Sequence, residues 1–238
     1  MRRRGFLGVD IGTSSSKGVL VAEDGEILHT AVGEHTVSRP APGHVEMDPE
    51  VWWEEFVALA EELTAPGDVD VAAVGVSGMG PCVLLTDESG TVLRQAILYG
   101  VDTRASAQIE RLDAELGREA ILNRAGSVLS SQAVGPKIAW VREHEPEVYA
   151  RARRLFMPAS WLTHRLTGEY VLDHHSASQC TPLYDTRALD WYRPWAEHVA
   201  PGLDLPALRW PGERAGVTGR EMAGIRAGVP VITGTIDA

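Results

Sequence analysis

Short apolar runs separated by turn residues open the chain. Phe6 to Asp10 is apolar and rich in β-formers, Lys17 to Ala22 is a second such run, and Ile27 to Thr36 is a third. The Asp24-Gly25 pair between the second and third runs is a strong hairpin signal. Gly12-Thr13-Ser14-Ser15-Ser16, between the first and second, reads as a loop of small polar residues. Together these predict a β-meander. A helix follows, with Asp48 as N-cap and Pro49 at the first helical position. Trp52, Phe56, Leu59, Ala60 and Leu63 recur at helical spacing, and Glu54, Glu55, Glu61 and Glu62 can face water. Pro66 and Gly67 end it. Val69 to Ser77 is nearly all apolar, as expected of a strand buried on both faces. Gly78-Met79-Gly80-Pro81 breaks that run, and strands are expected over Cys82 to Thr86 and Thr91 to Leu98.

From Thr103 onward the period becomes helical. Ile109, Leu112 and Leu116 line one face, and Ile121, Leu122 and Ala125 another. Further helices are expected over Lys137–Glu143, Pro146–Arg153 and Ser160–Leu166, the last ended by Gly168. Asp173 to Pro211, rich in tryptophan, proline and histidine, has no clear period. Val229 to Thr233 reads as one more buried strand. Strands first, helices later and a returning strand predict an α/β fold: a mixed sheet flanked by helices, with a helical insertion.

With 238 residues, the chain is long enough for one large domain or two small ones. Its net charge of −11 argues against nucleic acid as a partner. A local nest of backbone amides can still bind an anion. Cys82 and Cys180 lie far apart, which fits a reducing cytoplasm better than a disulfide framework. Arg2 to Arg4 do not open a signal peptide, because the apolar run behind them breaks at Asp10 and Gly12. The longest uncharged run, Val71 to Thr86, is too short and too broken by glycine to span a bilayer. No membrane partner is expected.

Three places could carry chemistry. In D-I-G-T-S-S-S-K, Asp10 ends a strand and Gly12 lets the backbone turn. Thr13, Ser14, Ser15 and Ser16 then offer amides and hydroxyls to one point, an anion-binding concavity. A carboxylate beside a phosphate makes sense if Mg²⁺ bridges them. The octet is not a Walker loop, and a plain Gly/Ser hairpin explains it equally well. Asp237, just beyond the last strand, could serve as a general base or as a simple turn aspartate. Gly78-Met79-Gly80-Pro81 could admit a ligand close to the backbone or could be only a tight turn.

Several motifs in order make the chain recognisable. They are D-I-G-T-S-S-S-K at Asp10, E-M-D-P-E-V-W-W at Glu46, G-V-S-G-M-G at Gly75 and D-T-R-A at Asp102. H-E-P-E-V-Y at His144, R-L-T-G-E at Arg165 and G-V-P-V-I-T-G-T-I-D-A from Gly228 follow. The sequence resembles the N-terminal domain of the FGGY family of carbohydrate kinases, most closely the xylulokinase-type branch, along its whole length. The first motif also fits the wider actin-like ATPase superfamily. The resemblance implies that residues 1–238 form one ribonuclease-H-like lobe for sugar binding and catalysis. It also implies a C-terminal nucleotide-binding lobe that this chain lacks, so that the lobe alone is expected to be inactive.

The resemblance further implies ATP and Mg²⁺ as cofactors, a sugar as substrate and a role for each matched position. Asp10 falls near the metal and the transferring phosphate, and Gly12, Thr13, Ser14, Ser15 and Ser16 form the first phosphate loop. Met79, Gly80, Asp102 and Arg104 lie at the sugar, and Asp237 is the base that takes the proton of the attacking hydroxyl. A ketopentose is expected. Kinases for glycerol, gluconate or a deoxy-sugar, and a non-enzymatic sugar-binding protein on the same lobe, remain alternatives. A homodimer is left open. Three departures from the family pattern bear on the pocket. Gly78-Met79-Gly80 replaces the usual Gln-Met-His, which should remove a polar contact and enlarge the pocket. Tyr99 to Arg104 carries one extra residue, and Ala159-Ser160 replaces a Lys-Asp pair.

Other residues are read as structural. His164, His174 and His175 match no metal spacing, Trp52 fits the helix core and Cys82 fits an inert core thiol. Lys17 opens a strand and is expected to take no direct part in catalysis.

Overall fold

The expected meander forms. In the computed structural model, which describes residues 2–237, β1 (Arg3–Ile11) pairs antiparallel with β2 (Ser15–Ala22), and β2 with β3 (Ile27–Glu34). Met1 and Ala238, the last residue of the G-T-I-D-A motif, lie outside the described residues. Ser15 and Ser16 belong to β2, so the loop expected over Gly12–Ser16 contracts to Gly12–Ser14. β4 (Glu46–Met47) leads into α1 (Pro49–Thr64), where the Asp48 carboxylate caps the helix by accepting from the Glu50 N–H at 3.0 Å. Trp52, Phe56, Leu59, Ala60 and Leu63 are buried, and α1 packs on β2 and β3. Full burial of a side chain such as Phe56 stabilises by about 1.5–3 kcal/mol.

β5 (Val69–Gly78) runs parallel to β1 at the centre of the sheet. Its residues alternate between buried and half-buried, so it is not covered on both faces as its apolar run suggested. The less covered face carries Gly75 and Ser77, and with Gly8, Asp10, Lys17 and Val19 it lines a groove of about 480 Å³. The next two expected strands shrink to β6 (Leu84–Thr86) and β7 (Ala96–Ile97), because each finds only a short partner. β7 pairs with the two residues of β4.

The helical insertion comprises α2 (Ser106–Leu116), α3 (Arg118–Ala125), α4 (Val134–His144) and α5 (Pro146–Arg151). α4 starts before Lys137 because Pro136 sits in its first turn, where the missing N–H has no helical partner to lose. β8 (Arg154–Phe156), absent from the pattern reading, pairs with β6. α6 (Pro158–Thr167) ends on Gly168 in the left-handed conformation, as expected. The region without a period holds only short elements. They are β9 (Val171–Asp173), α7 (His174–Ser178), β10 (Tyr184–Asp185), β11 (Asp190–Trp191), α8 (Arg193–Val199) and β12 (Ala207–Arg209). β13 (Arg214–Val217), β14 (Pro230–Ile232) and β15 (Thr235–Ile236) complete the chain.

The main sheet has seven strands in the order β13-β14-β5-β1-β2-β3, with β15 also beside β5. One hydrophobic core fills the space between this sheet, α1 and α6, and a second lies within the insertion. Met79 belongs to the first core and Ile236 to the second, so the ends of β5 and β15 mark the seam. Among the described residues no helix is long and apolar enough to cross a membrane.

Candidate active site

The parallel strands β1, β5 and β15 end together, with Ile11 and Ile236 both in register with Gly78. Met79 N–H donates to the Ile11 carbonyl at 2.7 Å, and Asp237 N–H to the Gly78 carbonyl at 3.0 Å. The Gly12 loop, Met79-Gly80 and Asp237 therefore emerge side by side at the carboxyl ends of the strands, where open α/β sheets bind ligands. A cavity of about 330 Å³ opens there, lined by Thr13, Met79, Gly80, Tyr99, Gln132 and Asp237.

Two carboxylates face this end of the sheet. Asp10 accepts a hydrogen bond from the Ser77 hydroxyl at 2.6 Å, its partner across the β1–β5 register. Asp237 is raised above the usual carboxylate range, first by desolvation and then by the negative charge of Asp10. The two groups thus share one electrostatic neighbourhood. Among the described residues no cluster of three or more His, Cys, Asp or Glu side chains could hold a metal by itself. His174 bonds the Tyr184 hydroxyl at 2.8 Å.

The residues expected to form the phosphate loop take different roles. Thr13 shares a 2.8 Å hydrogen bond with the Tyr99 hydroxyl, which ties the loop to the cavity wall. Ser16 is fully buried and donates to Glu55 of α1, so its hydroxyl turns away from the loop. Its assignment as a phosphate-binding side chain is corrected on that ground. Glu55, expected to face water, is largely covered and pairs with His35 at 2.9 Å. Lys17 is exposed on β2 beside the sheet groove, away from the cavity lining.

Asp102 and Arg104 also depart from the sequence expectation. Both side chains are 0% exposed. Asp102 accepts from the Val45 N–H at 2.6 Å and from Arg104 at 2.8 Å, and Arg104 reaches Glu46 at 2.7 Å. Arg94 extends the network from Glu46 to Glu145, the latter at 2.7 Å. The charges of three separate motifs are spent on one another, so this pair braces the wall behind the cavity and does not line it. Arg165, from a further motif, pairs at 2.8 Å with Glu50 of the Glu46 motif.

Tyr99 and Gln132, which sequence reasoning did not select, supply the wall. The Gln132 side-chain oxygen accepts from the Gly100 N–H at 3.0 Å, within the segment that carries the extra residue. Beneath it Lys137, 1% exposed, donates to the carbonyls of Leu98 at 2.7 Å and Tyr99 at 2.9 Å. Burial pulls its pKa down to about 8. Burial likewise pushes the Cys82 thiol up to about 12, which fits an inert core residue. At Gly80 a Cβ would collide with the side chain of Ile236. The space left by the absent histidine is occupied by Ile236 on that side, rather than opened to the cavity.

Comparison with known proteins bears on the family and the fold. Residues 6–238 match the N-terminal domain of the FGGY family of carbohydrate kinases. The chain is 33% identical over 236 residues to a xylulose kinase of Escherichia coli (strain K12), covering 96% of this chain and 47% of that protein. A glycerol kinase of Janthinobacterium sp. (strain Marseille) is 30% identical over 214 residues, 87% of this chain and 42% of that one. The crystal structure of xylulose kinase from Rhodospirillum rubrum superposes with a TM-score of 0.91 at 32% identity, over 98% of this chain and 49% of the other. The chain thus spans about half the length of the relatives it matches. The expected ribonuclease-H-like lobe of the actin-like ATPases is borne out by that superposition and by the strand order. Motif order, fold and similarity agree, and the chain belongs to the FGGY family of carbohydrate kinases as an N-terminal domain.

Proposed function

We propose that this lobe provides the sugar site and the general base of an ATP-dependent carbohydrate kinase, acting with a second lobe that carries most of the nucleotide site. One observation carries the reading: Asp237, its carboxyl pKa raised by desolvation and by the nearby Asp10, shares a cavity at the strand ends with Thr13 of the Gly12 loop. Phosphoryl transfer asks a protein mainly for positioning and charge compensation. The sugar lies against Thr13, Met79, Gly80, Tyr99 and Gln132 with its reacting hydroxyl toward Asp237. Asp237 accepts the hydroxyl proton as the oxygen attacks the γ-phosphorus of ATP, and ADP departs. Amides of the Gly12 loop hold phosphate oxygens.

Asp10 suits a Mg²⁺ ion shared with those oxygens, since Mg²⁺ is usually held by one or two carboxylates plus substrate phosphates. The ion would neutralise phosphate charge that otherwise faces two carboxylates. The names of the relatives support a ketopentose of the xylulose type, with glycerol as the nearest competitor. Every ionisable group lining the cavity among the described residues is an acid, which favours neutral sugars and polyols over gluconate. Two buried, unpaired cysteines suit a reducing cytoplasm. The test is MgATP-dependent phosphorylation by the full-length protein of a panel holding xylulose, other ketopentoses, glycerol, gluconate and deoxy-sugars. Turnover of a neutral ketose or polyol is expected, and turnover of none of the panel overturns the reading.

A further inference from the structure

The Gly12 loop joins two antiparallel strands, and its backbone bonding is lopsided. Gly12 N–H donates to the Ser15 carbonyl at 3.0 Å. In a closed hairpin end the facing residues exchange both bonds, so the Ser15 N–H would return to the Gly12 carbonyl. Here that carbonyl is taken by His35, whose Nε2 lies 3.0 Å away. A carbonyl can only accept, so Nε2 carries the hydrogen. The backbone N–H of His35 also donates to the Ser14 carbonyl at 3.1 Å. The ring is 5% exposed and is steered from its other nitrogen, where Nδ1 lies 2.9 Å and 3.0 Å from the two oxygens of Glu55. Glu55 in turn receives the Ser16 hydroxyl.

A trans peptide points its C=O and the next N–H in opposite directions. With the Gly12 carbonyl drawn toward His35 and α1, the Thr13 N–H points the other way, toward the sheet face that carries Asp10. Among the described residues no acceptor is found for the N–H groups of Thr13 and Ser14, which lie between the strands. Successive free amides of this kind make an anion-binding concavity. We infer that His35, oriented by Glu55 and Ser16, is a positioning residue that opens the hairpin end and turns it into the phosphate-binding loop. The inference rests on the kinase reading for the identity of the anion, the nucleotide phosphates, and on the hydrogen bonds alone for the presence of a nest. Pattern reading could not find it, since His35 stands alone at the end of a strand and Glu55 falls on the polar side of a helix.

The test compares His35→Leu, which removes the donor, with His35→Gln, which restores an amide N–H near Nε2, in the full-length protein. His35→Leu is expected to raise KM for MgATP about tenfold while KM for the sugar stays within about twofold, and His35→Gln to recover most of the loss. An unchanged KM for MgATP, or an equal rise in both KM values, overturns the inference. Should His35→Leu fail to fold, Glu55→Gln is expected to shift the same KM in the same direction by a smaller factor. Independently of activity, Mg²⁺-tripolyphosphate added to the wild-type protein should move the amide NMR signals of Thr13 and Ser14, and unmoved signals contradict the nest. If the wild-type protein phosphorylates no sugar but these signals move, the kinase reading falls and the anion nest stands.

Discussion

The two loops that meet at the Thr13–Tyr99 hydrogen bond are held in opposite ways. In the Gly12–Ser14 loop, His35 bonds the Gly12 and Ser14 carbonyls, and the Thr13 and Ser14 amides find no acceptor among the described residues. In the Tyr99–Arg104 loop, Lys137 also holds carbonyls, but the charged side chains are used up internally, with Asp102 and Arg104 closed into a buried ion network. In the proposed kinase one loop receives charge and the other stays rigid. The difference teaches that a charged motif residue reaches a ligand only if its hydrogen-bonding capacity is left over after folding.

The largest effect is expected from breaking the rigid loop. Arg104→Met strands the Asp102 carboxylate in the core and should cost about 3–5 kcal/mol in a urea titration. A loss below about 1 kcal/mol would mean that the pair is free to serve a ligand. Lys137→Met leaves the Leu98 and Tyr99 carbonyls unpaired, a penalty of about 1–3 kcal/mol. It should raise KM for the sugar and spare that for MgATP, the mirror image of the effect expected at His35.

The same lysine yields a pH test. Its folded pKa, lowered to about 8 by burial, lies below the ordinary lysine value of 10.5. The unfolded chain therefore binds more protons between those limits, and stability rises with pH across the window. The contribution is complete above 10.5 and fades as pH falls through about 8. Measured as wild type minus Lys137→Met, a flat difference from pH 7.5 to 10 would contradict it. The smallest effect sharpens the ligand-receiving side. Asp10→Asn removes the charge that helps to raise Asp237, so the Asp237 carboxyl should titrate at lower pH by ¹³C NMR. An unmoved midpoint would separate the two carboxylates.

The meander and α1 were legible because strand period, turn residues and the Asp48 cap all agree locally. The placement of Asp10, Met79, Gly80 and Asp237 was legible because they lie at or just beyond the ends of strands that the sheet brings together. Tyr99, Gln132, Lys137 and His35 were not, since each acts through a partner distant in sequence. Asp102 and Arg104 misled for the same reason, because motif charges can pair with one another as readily as with a ligand. The segment Asp173–Pro211 stayed opaque because elements of two to seven residues are too short to display a period.

Asp237 carries the central claim. In the full-length protein with MgATP and the preferred sugar, Asp237→Asn should lower kcat by about 10²–10⁴-fold, with KM values and melting temperature nearly unchanged. Turnover at the wild-type rate in that variant would contradict the account.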